Sequence, residues 1–474
     1  MREINDQSKI ISNHPKSWIQ VRLGEIIKLE YGKSLTKHSR NEEGEFPVYG
    51  SSGVVGQHDD FLVNGPCLVV GRKGGVGEVW LSKSKCWPID TTYFTRVNND
   101  CLSISFLFFL LKSLRLGQYD KSTAIPGLNR NDAYNILIGL PPLAEQHRIV
   151  DKIEELFSDL DDGIASLKKA QQQLKVYRQA VLKWAFEGKL TAQWREEQQR
   201  QGKLESAETL LEQIKAERDQ RYQGKYQKAL MPEFILLPHV PEEWSLVTLD
   251  QLSLLITSGS RGWAKYYSNS GDFFIRAQDI NTDSLRLDRI AYVNPLKVSE
   301  GQRTRVQLGD LLITMTGANV TKSALVSIDF KKPAYVNQHV GLVRLSKLIN
   351  SKFIYYWIIS SQNGRAQLMK SAYGAGKPGL NLTNLKEVII VLPSLQEQNK
   401  IVEEIESRLS ICDSLEATIT ENLQRAEALR QSILKQAFEG KLVPQDPNDE
   451  PASVLLERIR QTRNQHKQLN LNNL

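Results

Sequence analysis

Leu140–Leu190 reads LPPLAEQHRIVDKIEELFSDLDDGIASLKKAQQQLKVYRQAVLKWAFEGKL. The pair Pro141-Pro142 stops whatever precedes it and favours an extended approach. For more than forty residues after it there is no proline and, before the closing FEGKL, one glycine. Ile153, Leu160, Leu167, Leu174 and Val181 fall seven apart, as do Ile149, Leu156, Ala170, Tyr177 and Trp184, with Gly163 filling the gap. Interleaved at steps of three and four, the two series form the seam of a coiled coil. A helix from Ala144 to Phe186 would be roughly 64 Å long.

The stretch recurs. At a shift of 252 residues, Leu392–Leu442 (LPSLQEQNKIVEEIE…LRQSILKQAFEGKL) aligns without a gap at about 23 of 51 positions. Ile405, Cys412, Ile419, Ala426 and Ile433 carry one series. Ile401, Leu415 and Leu429 carry the other, interrupted by Arg408, Asn422 and Gln436. Two long helices with matching seams in one chain most simply pack on each other, as an antiparallel coiled coil.

Outward from these helices, Pro15-Lys16-Ser17-Trp18 opens a unit that Pro241-Glu242-Glu243-Trp244 opens again. Each unit alternates short β runs with Gly, Asn and Asp turns and adds a helix, Ser103–Ser113 or Lys352–Ser361. A loop, Ile125–Asn129 or Lys377–Asn381, then leads to the proline-bearing phrase. The fold class is therefore mixed α/β (α+β): two globules with an internal repeat, joined by two long helices. The expected boundaries are a loose N-terminus (1–14), globule one (15–140), spacer one (141–190) and a charged, Gln-rich solvated linker with some helix (191–240). Globule two (241–392), spacer two (393–442) and a short helix with a frayed tail (443–474) complete the chain.

The length of 474 residues supports several domains whose cores need no disulfide staples. Cys67, Cys86, Cys101 and Cys412 lie far apart in sequence, with no CxxC and no histidine at metal-ligand spacing. Free thiols in a reducing cytoplasm, without metal, are expected. Met1–Lys9 is polar, and the longest apolar run, Ile104–Leu111, is far short of a membrane span. The net charge of +7 raises the prior for a polyanionic partner. Globule one contributes about +3 and globule two about +7.

Two unlike globules on like spacers ending in AFEGKL resemble the DNA-specificity subunits of type I restriction–modification systems. The resemblance covers residues 15–460 and rests on PPLAEQHRIV, PSLQEQNKIV, both AFEGKL phrases and both PGLN loops. Phe46–Ser52, Gly71–Gly74, Ile275–Gln278, Gly309-Asp310 and Tyr335–His339 add to it. It implies that each globule is a target-recognition domain reading one half of a split, asymmetric double-stranded DNA sequence. It also implies that the helices fix the separation of the domains and dock two adenine methyltransferase subunits. S-adenosylmethionine, ATP and Mg would serve those partners and an ATP-dependent restriction and translocation subunit, with no cofactor in this chain.

The residues agree with a non-catalytic role. Pro141-Pro142 sits between leucines, not in an Asn/Asp-Pro-Pro-aromatic turn. Gly376-Lys377 is followed by proline and lacks the rest of a P-loop, and Gly71–Gly77 spaces its glycines like a hairpin. Glu187-Gly-Lys189 reads as a helix stop. His147 reads as solvated, and His339 as a satisfied strand histidine.

Base readout needs fork donors and amides at loop tips, and phosphate contact needs cations. On that basis Arg72 and Lys73 on the glycine-rich turn, and Ser51, Ser52, Gln57 and His58 in a neighbouring polar loop, are the DNA-contact candidates of globule one. In globule two they are Arg276 with Gln278, Asn319 and Lys322 after TMTG, the amides Asn337 and Gln338, and Lys377. Asn129 and Asn381 read as turn caps. The competing reading is a coiled-coil scaffold whose globules bind protein, but a scaffold has no need to diversify both ends.

Overall fold

The computed structural model describes residues 14–98, 100–119, 127–222, 240–281, 283–295, 301–374 and 378–471, the side chains of 119, 222 and 464–471 excepted. The expected loose N-terminus therefore lies outside the described residues, save for residue 14. Leu143–Phe186 and Leu395–Phe438 are continuous helices of 44 residues each, about 66 Å long. Among the described residues no helix is long and apolar enough to cross a membrane.

The chain divides into two compact units, Met1–Lys168 with Ile419–Leu474, and Lys169–Thr418. Each long helix is thus shared between them. In the first unit Ile149, Val150 and Ile153 join one core with Ile433, Leu434 and Ala437. In the second, Val181, Leu182, Ala185 and Phe186 join another with Ile401, Val402 and Ile405. Start meets end in both, so both pairings are antiparallel. Arg430 bonds Asp161 in the first, and Arg178 reaches Asp413 at 2.6 Å and Glu416 at 3.0 Å in the second.

Taken as 419–474 followed by 1–168, the first unit repeats the outline of 169–418, without helix Ala192–Arg200 of the second. A helix end comes first, then the AFEGKL turn and an amphipathic helix, Ala452–Leu471 or Ala207–Tyr222. A globule and the start of the other long helix follow. The segment expected to be a solvated linker is in part packed: Leu210 and Ile214 of helix Ala207–Tyr222 are buried in the second unit's core. Its charge pattern hid a narrow apolar stripe.

The globules share a core topology, to which the second adds strand Tyr267–Ser268 and the hairpin Ile280–Asn281 with Ser284–Leu285. A four-stranded sheet runs Glu30–Tyr31, Thr92–Thr95, Cys67–Gly71, Val79–Ser82 in the first, and Ser253–Ser258, Val340–Leu345, Leu311–Thr314, Ser323–Leu325 in the second. A second sheet in each contains a parallel pair, Val48↔Trp87 or Phe273↔Ala334. An antiparallel pair closes each globule onto its spacer, Ile19–Arg22 with Leu137–Leu140 and Ser245–Thr248 with Ile389–Leu392.

The repeated phrases have repeated physical reasons. Trp18 donates its indole N–H to Glu145 at 2.8 Å, and Trp244 donates to Glu397 at 2.8 Å. Gln146 accepts from Ser103 N at 3.0 Å and donates to Pro141 O at 3.1 Å. Gln398 does the same with Asn350 N at 3.1 Å and Pro393 O at 3.0 Å. Ser103 and Asn350 are themselves the N-caps of helices Ile104–Ser113 and Ser351–Ile359, so each Glu-Gln pair pins a globule to a helix start. The glycines of AFEGKL, Gly188 (φ +70°) and Gly440 (φ +72°), end the helices in the left-handed region. A Cβ there would stand 2.6 Å from Pro241 and 2.4 Å from Pro15 respectively. The opening prolines therefore seat on the glycines.

One half of the expected seam is displaced. Ile405, Cys412, Ile419, Ala426 and Ile433 are all buried, as are Ile153 and Val181, with Leu160, Leu167 and Leu174 half-buried. The companion series holds at the helix starts, where Ile149 and Ile401 are buried, and fails beyond them: Tyr177, Trp184, Leu415 and Leu429 are exposed. Phe157, Ile164, Gln171, Arg178 and Ala185 take the inward positions, as do Leu409, Glu416, Leu423, Arg430 and Ala437. An α-helix turns every 3.6 residues, so over five heptads a strict 3.5 repeat drifts by about 100°. Both helices resolve the drift by the same one-residue shift.

The four cysteines are free and buried. Although distant in sequence, Cys67 and Cys86 meet at Sγ–Sγ 3.5 Å, and that hydrogen bond with burial pushes the Cys67 thiol up.

Candidate nucleic-acid interface

In each globule the connection between the third and fourth strands of the four-stranded sheet is tied to the PGL loop by the same backbone bonds. In the first, Leu128 N donates to Arg72 O at 2.9 Å and Lys73 bridges to Gly127. In the second, Leu380 N donates to Met315 O at 2.7 Å and Thr316 bridges to Gly379. Arg72-Lys73 and Met315-Thr316 thus occupy one framework position with different chemistry. The glycine-rich 72–78 segment is a hairpin loop, as its spacing predicts.

Around Arg72 the first globule gathers several polar groups. Arg72 N and Lys73 N both donate to Thr91 O, and the Arg72 guanidinium is parked on Asp90 O at 2.9 Å. Ser51, in the turn between strands Phe46–Gly50 and Gly53–His58, accepts from Gly75 N at 3.3 Å, which brings Ser51 and Ser52 to the same loop. Gln57 and His58 do not join them. Contrary to the expected loop, both lie in strand Gly53–His58, at the end away from the turn. His58 packs edge-on against Trp87, 5.4 Å between centroids. A β run with two glycines reads as a loop in sequence, whereas its ladder to Phe46–Gly50 makes it a strand.

No sequence pattern pointed to Tyr31. It ends a two-residue strand, is 53% exposed and has two guanidinium carbons, of Arg72 and Arg130, each 5.3 Å from its ring centroid. Beneath it Tyr93 is buried, its ring 5.1 Å away. Burial and the Tyr31 hydroxyl push Tyr93 up to about 12, with Arg72 and Arg130 pulling the other way.

In the second globule four loops converge. Asn337 N donates to Ile275 O at 3.0 Å, Met315 N to His339 O at 2.8 Å and Gly317 N to Pro378 O at 3.1 Å. Asn319 donates to Ala277 O and Ile280 O, both at 3.4 Å. Arg276 is not a free fork. It binds Asp279 at 3.0 and 2.9 Å and Arg289 O at 2.8 Å, and its remaining amino group faces the side-chain oxygen of Gln278. The Asp three residues downstream turned a readout candidate into a loop clamp. Gln278 and Gln338 are exposed. Asn337 is half-buried and accepts from His339 N at 3.1 Å, while Lys322 stands 3.9 Å from Asp283.

His339 lies between strands Ala334–Val336 and Val340–Leu345 and is hydrogen-bonded to Thr316, so it is satisfied but not in a strand. Lys377 lies outside the described residues. Missed by sequence reasoning, Arg261 is exposed on the 259–262 loop, where the Gly259 backbone presses on Asn337. Gly309-Asp310 proves structural: buried Asp310 takes two bonds from Arg344, at 2.8 and 2.7 Å. Asn129 and Asn381 cap short helices, Arg130–Tyr134 and Leu382–Lys386.

The family profile described as Type I restriction modification DNA specificity domain matches residues 15–175 and 241–425. The type I restriction enzyme EcoBI specificity subunit of Escherichia coli is 28% identical over 462 residues, covering 94% of this chain and 85% of the relative. The EcoDI specificity subunit of Escherichia coli is 23% identical over 466 residues, covering 95% and 96%. Among solved structures, a chain from work on complex assembly and conformational transition of the type I R-M system aligns with a TM-score of 0.63 at 19% identity, over 90% of this chain and 99% of that one. The HsdS subunit from Thermoanaerobacter tengcongensis aligns at 0.50, also at 19% identity, over 90% and 98%. With a doubled frame, two divergent loop clusters and a profile matching both repeats, the chain belongs to the type I restriction–modification DNA specificity family.

Proposed function

We propose that this chain is the sequence-specific DNA-binding subunit of a type I restriction–modification complex and carries out no chemistry itself. Each globule contacts one half of a bipartite, asymmetric DNA site through its loop cluster. Two adenine methyltransferase subunits, using S-adenosylmethionine, and an ATP- and Mg-dependent restriction subunit assemble around it. The observation that carries the reading is the shared framework position at which one globule presents Arg72-Lys73 and the other Met315-Thr316. A conserved bond pattern with exchanged side chains is what two readers of unlike sequences require.

The helices support the docking role. In the second unit Val176, Tyr177, Trp184, Ile411 and Leu415 are exposed, and large apolar side chains on a long helix pair suit a protein partner. The test is co-expression with the methyltransferase subunit of its own system, followed by mapping of methylated adenines. The reading expects a split motif with modified adenines in both halves. A single contiguous motif, or none, would overturn it.

A further inference from the structure

The Arg72 and Arg130 guanidiniums flank the Tyr31 ring, and Lys73 follows Arg72 on the same loop. Among the described residues neither Arg72 nor Arg130 has a carboxylate partner, and Lys73 has no partner side chain. The guanidinium of Arg72 is held by Asp90 O and the Tyr31 ring, and that of Arg130 by Leu29 O at 3.3 Å and the same ring. Carbonyl and ring contacts fix the direction of a guanidinium and leave its charge and most of its five N–H groups unused. The three cations also sit on a rigid base. Lys73 bridges to Gly127, Leu128 bonds Arg72, and Tyr93 OH donates to Leu128 O at 3.1 Å. Little ordering would be needed on binding.

Among the described residues the second globule offers no counterpart. Sheet register puts Tyr31 opposite Tyr93, itself opposite Val70, two residues before Arg72. The same path in the second globule runs from Ser258 through Gly341 to Ile313, two residues before Met315. Arg130 follows the cap Asn129, and Leu382 follows the cap Asn381. Ser258, Met315 and Leu382 therefore replace Tyr31, Arg72 and Arg130.

We propose that Tyr31, Arg72, Lys73 and Arg130 form a phosphodiester clamp that, among the described residues, the first globule alone presents, Arg130 gripping the backbone of the bound DNA and Tyr31 aiming both guanidiniums. The clamp positions the duplex and leaves base choice to neighbouring loop residues. This rests on the DNA-binding reading above. It predicts that the two half-sites are held differently, the first with the steeper dependence on salt.

The test uses the full chain assembled with its methyltransferase subunit, titrated with DNA over a salt series. Arg130→Gln is expected to lower the slope of log affinity against log salt by about 1 and to weaken cognate and scrambled first half-sites alike. Arg130→Lys restores the slope. Lys83→Gln, which removes a charge from the opposite end of the same hairpin, leaves it unchanged. An unaltered slope in Arg130→Gln overturns the clamp, as does an equal fall in Lys83→Gln. Relaxed preference at one base with the slope intact overturns it too, because Arg130 would then read a base. If the wild-type assembly binds no split site, the broader reading fails, and the slope comparison is not what shows it.

Discussion

Glu145 in the first unit is held by two neutral donors, Trp18 at 2.8 Å and Gln445 at 2.8 Å. Its counterpart Glu397 is held by Trp244 and Thr191, with the buried Arg195 at 3.6 Å. The indole bond is the same in both and the remaining partners are not. The loop tips show the same division on a larger scale, with backbone bonds repeated and side chains exchanged. A frame kept by main-chain bonds and a few buried polar pairs leaves the surface loops free to differ, and that freedom is what a specificity subunit needs.

If that contrast is physical, Glu397→Ala should have the largest effect. It leaves the buried Arg195 guanidinium without its carboxylate, hydrogen-bonded to the Gly188 carbonyl, at about 3–5 kcal/mol, whereas Glu145→Ala strands only neutral donors, at about 1–3 kcal/mol. Denaturant unfolding of the intact chain, with hydrogen exchange to locate the loss, measures both. Equal losses would remove Arg195 from the account. Next comes the seam. Ile153→Ala and Ile405→Ala, fully buried at helix ends, should each cost about 2–5 kcal/mol. Leu167→Ala, half-buried at mid-helix, should cost clearly less, about 1 kcal/mol. A mid-helix loss as large would mean that the seam is uniformly tight.

Gly188→Ala and Gly440→Ala should behave alike, each costing about 1–2 kcal/mol for the left-handed backbone alone, with the clash on Pro241 or Pro15 added. Unequal melting shifts would break the equivalence of the two turns. The smallest effect concerns pH. Burial holds the Glu145 and Glu397 carboxyls above the ordinary glutamate range. A raised folded-state pKa makes the native state the better proton binder. The group therefore favours folding fully below about 4.5 and loses that contribution as pH rises through the folded value. Glu145→Gln should flatten this part of the stability–pH curve. A curve parallel to wild type would show that the carboxyl titrates as it does in the unfolded chain.

Much of the frame was legible because it is periodic or local. The long helices, their seam through Ile405, Cys412 and Ile433, the 72–78 hairpin and the caps at Asn129 and Asn381 all follow from spacing or neighbouring residues. What escaped depends on contacts distant in sequence or on geometry that a heptad conceals. Tyr177 and Trp184 left the seam because 3.5 and 3.6 diverge over five heptads. Arg276 lost its fork partly to the Arg289 carbonyl, which no local pattern announces. Tyr31 became visible only when the fold brought Arg72 and Arg130, from the middle and the end of the globule, to one ring.

The central claim, that each globule reads one half-site on a common frame, is tested most directly by exchanging residues 30–128 for those of a relative with a different recognition sequence. Trp18, Glu145 and the strand pair Ile19–Arg22 with Leu137–Leu140 then stay native, and methylated adenines are mapped in cells carrying the chimera and its methyltransferase. The account predicts a split motif in which one half changes to the donor's and the other is untouched. A change in both halves would contradict it, because the two globules would then be reading the DNA jointly.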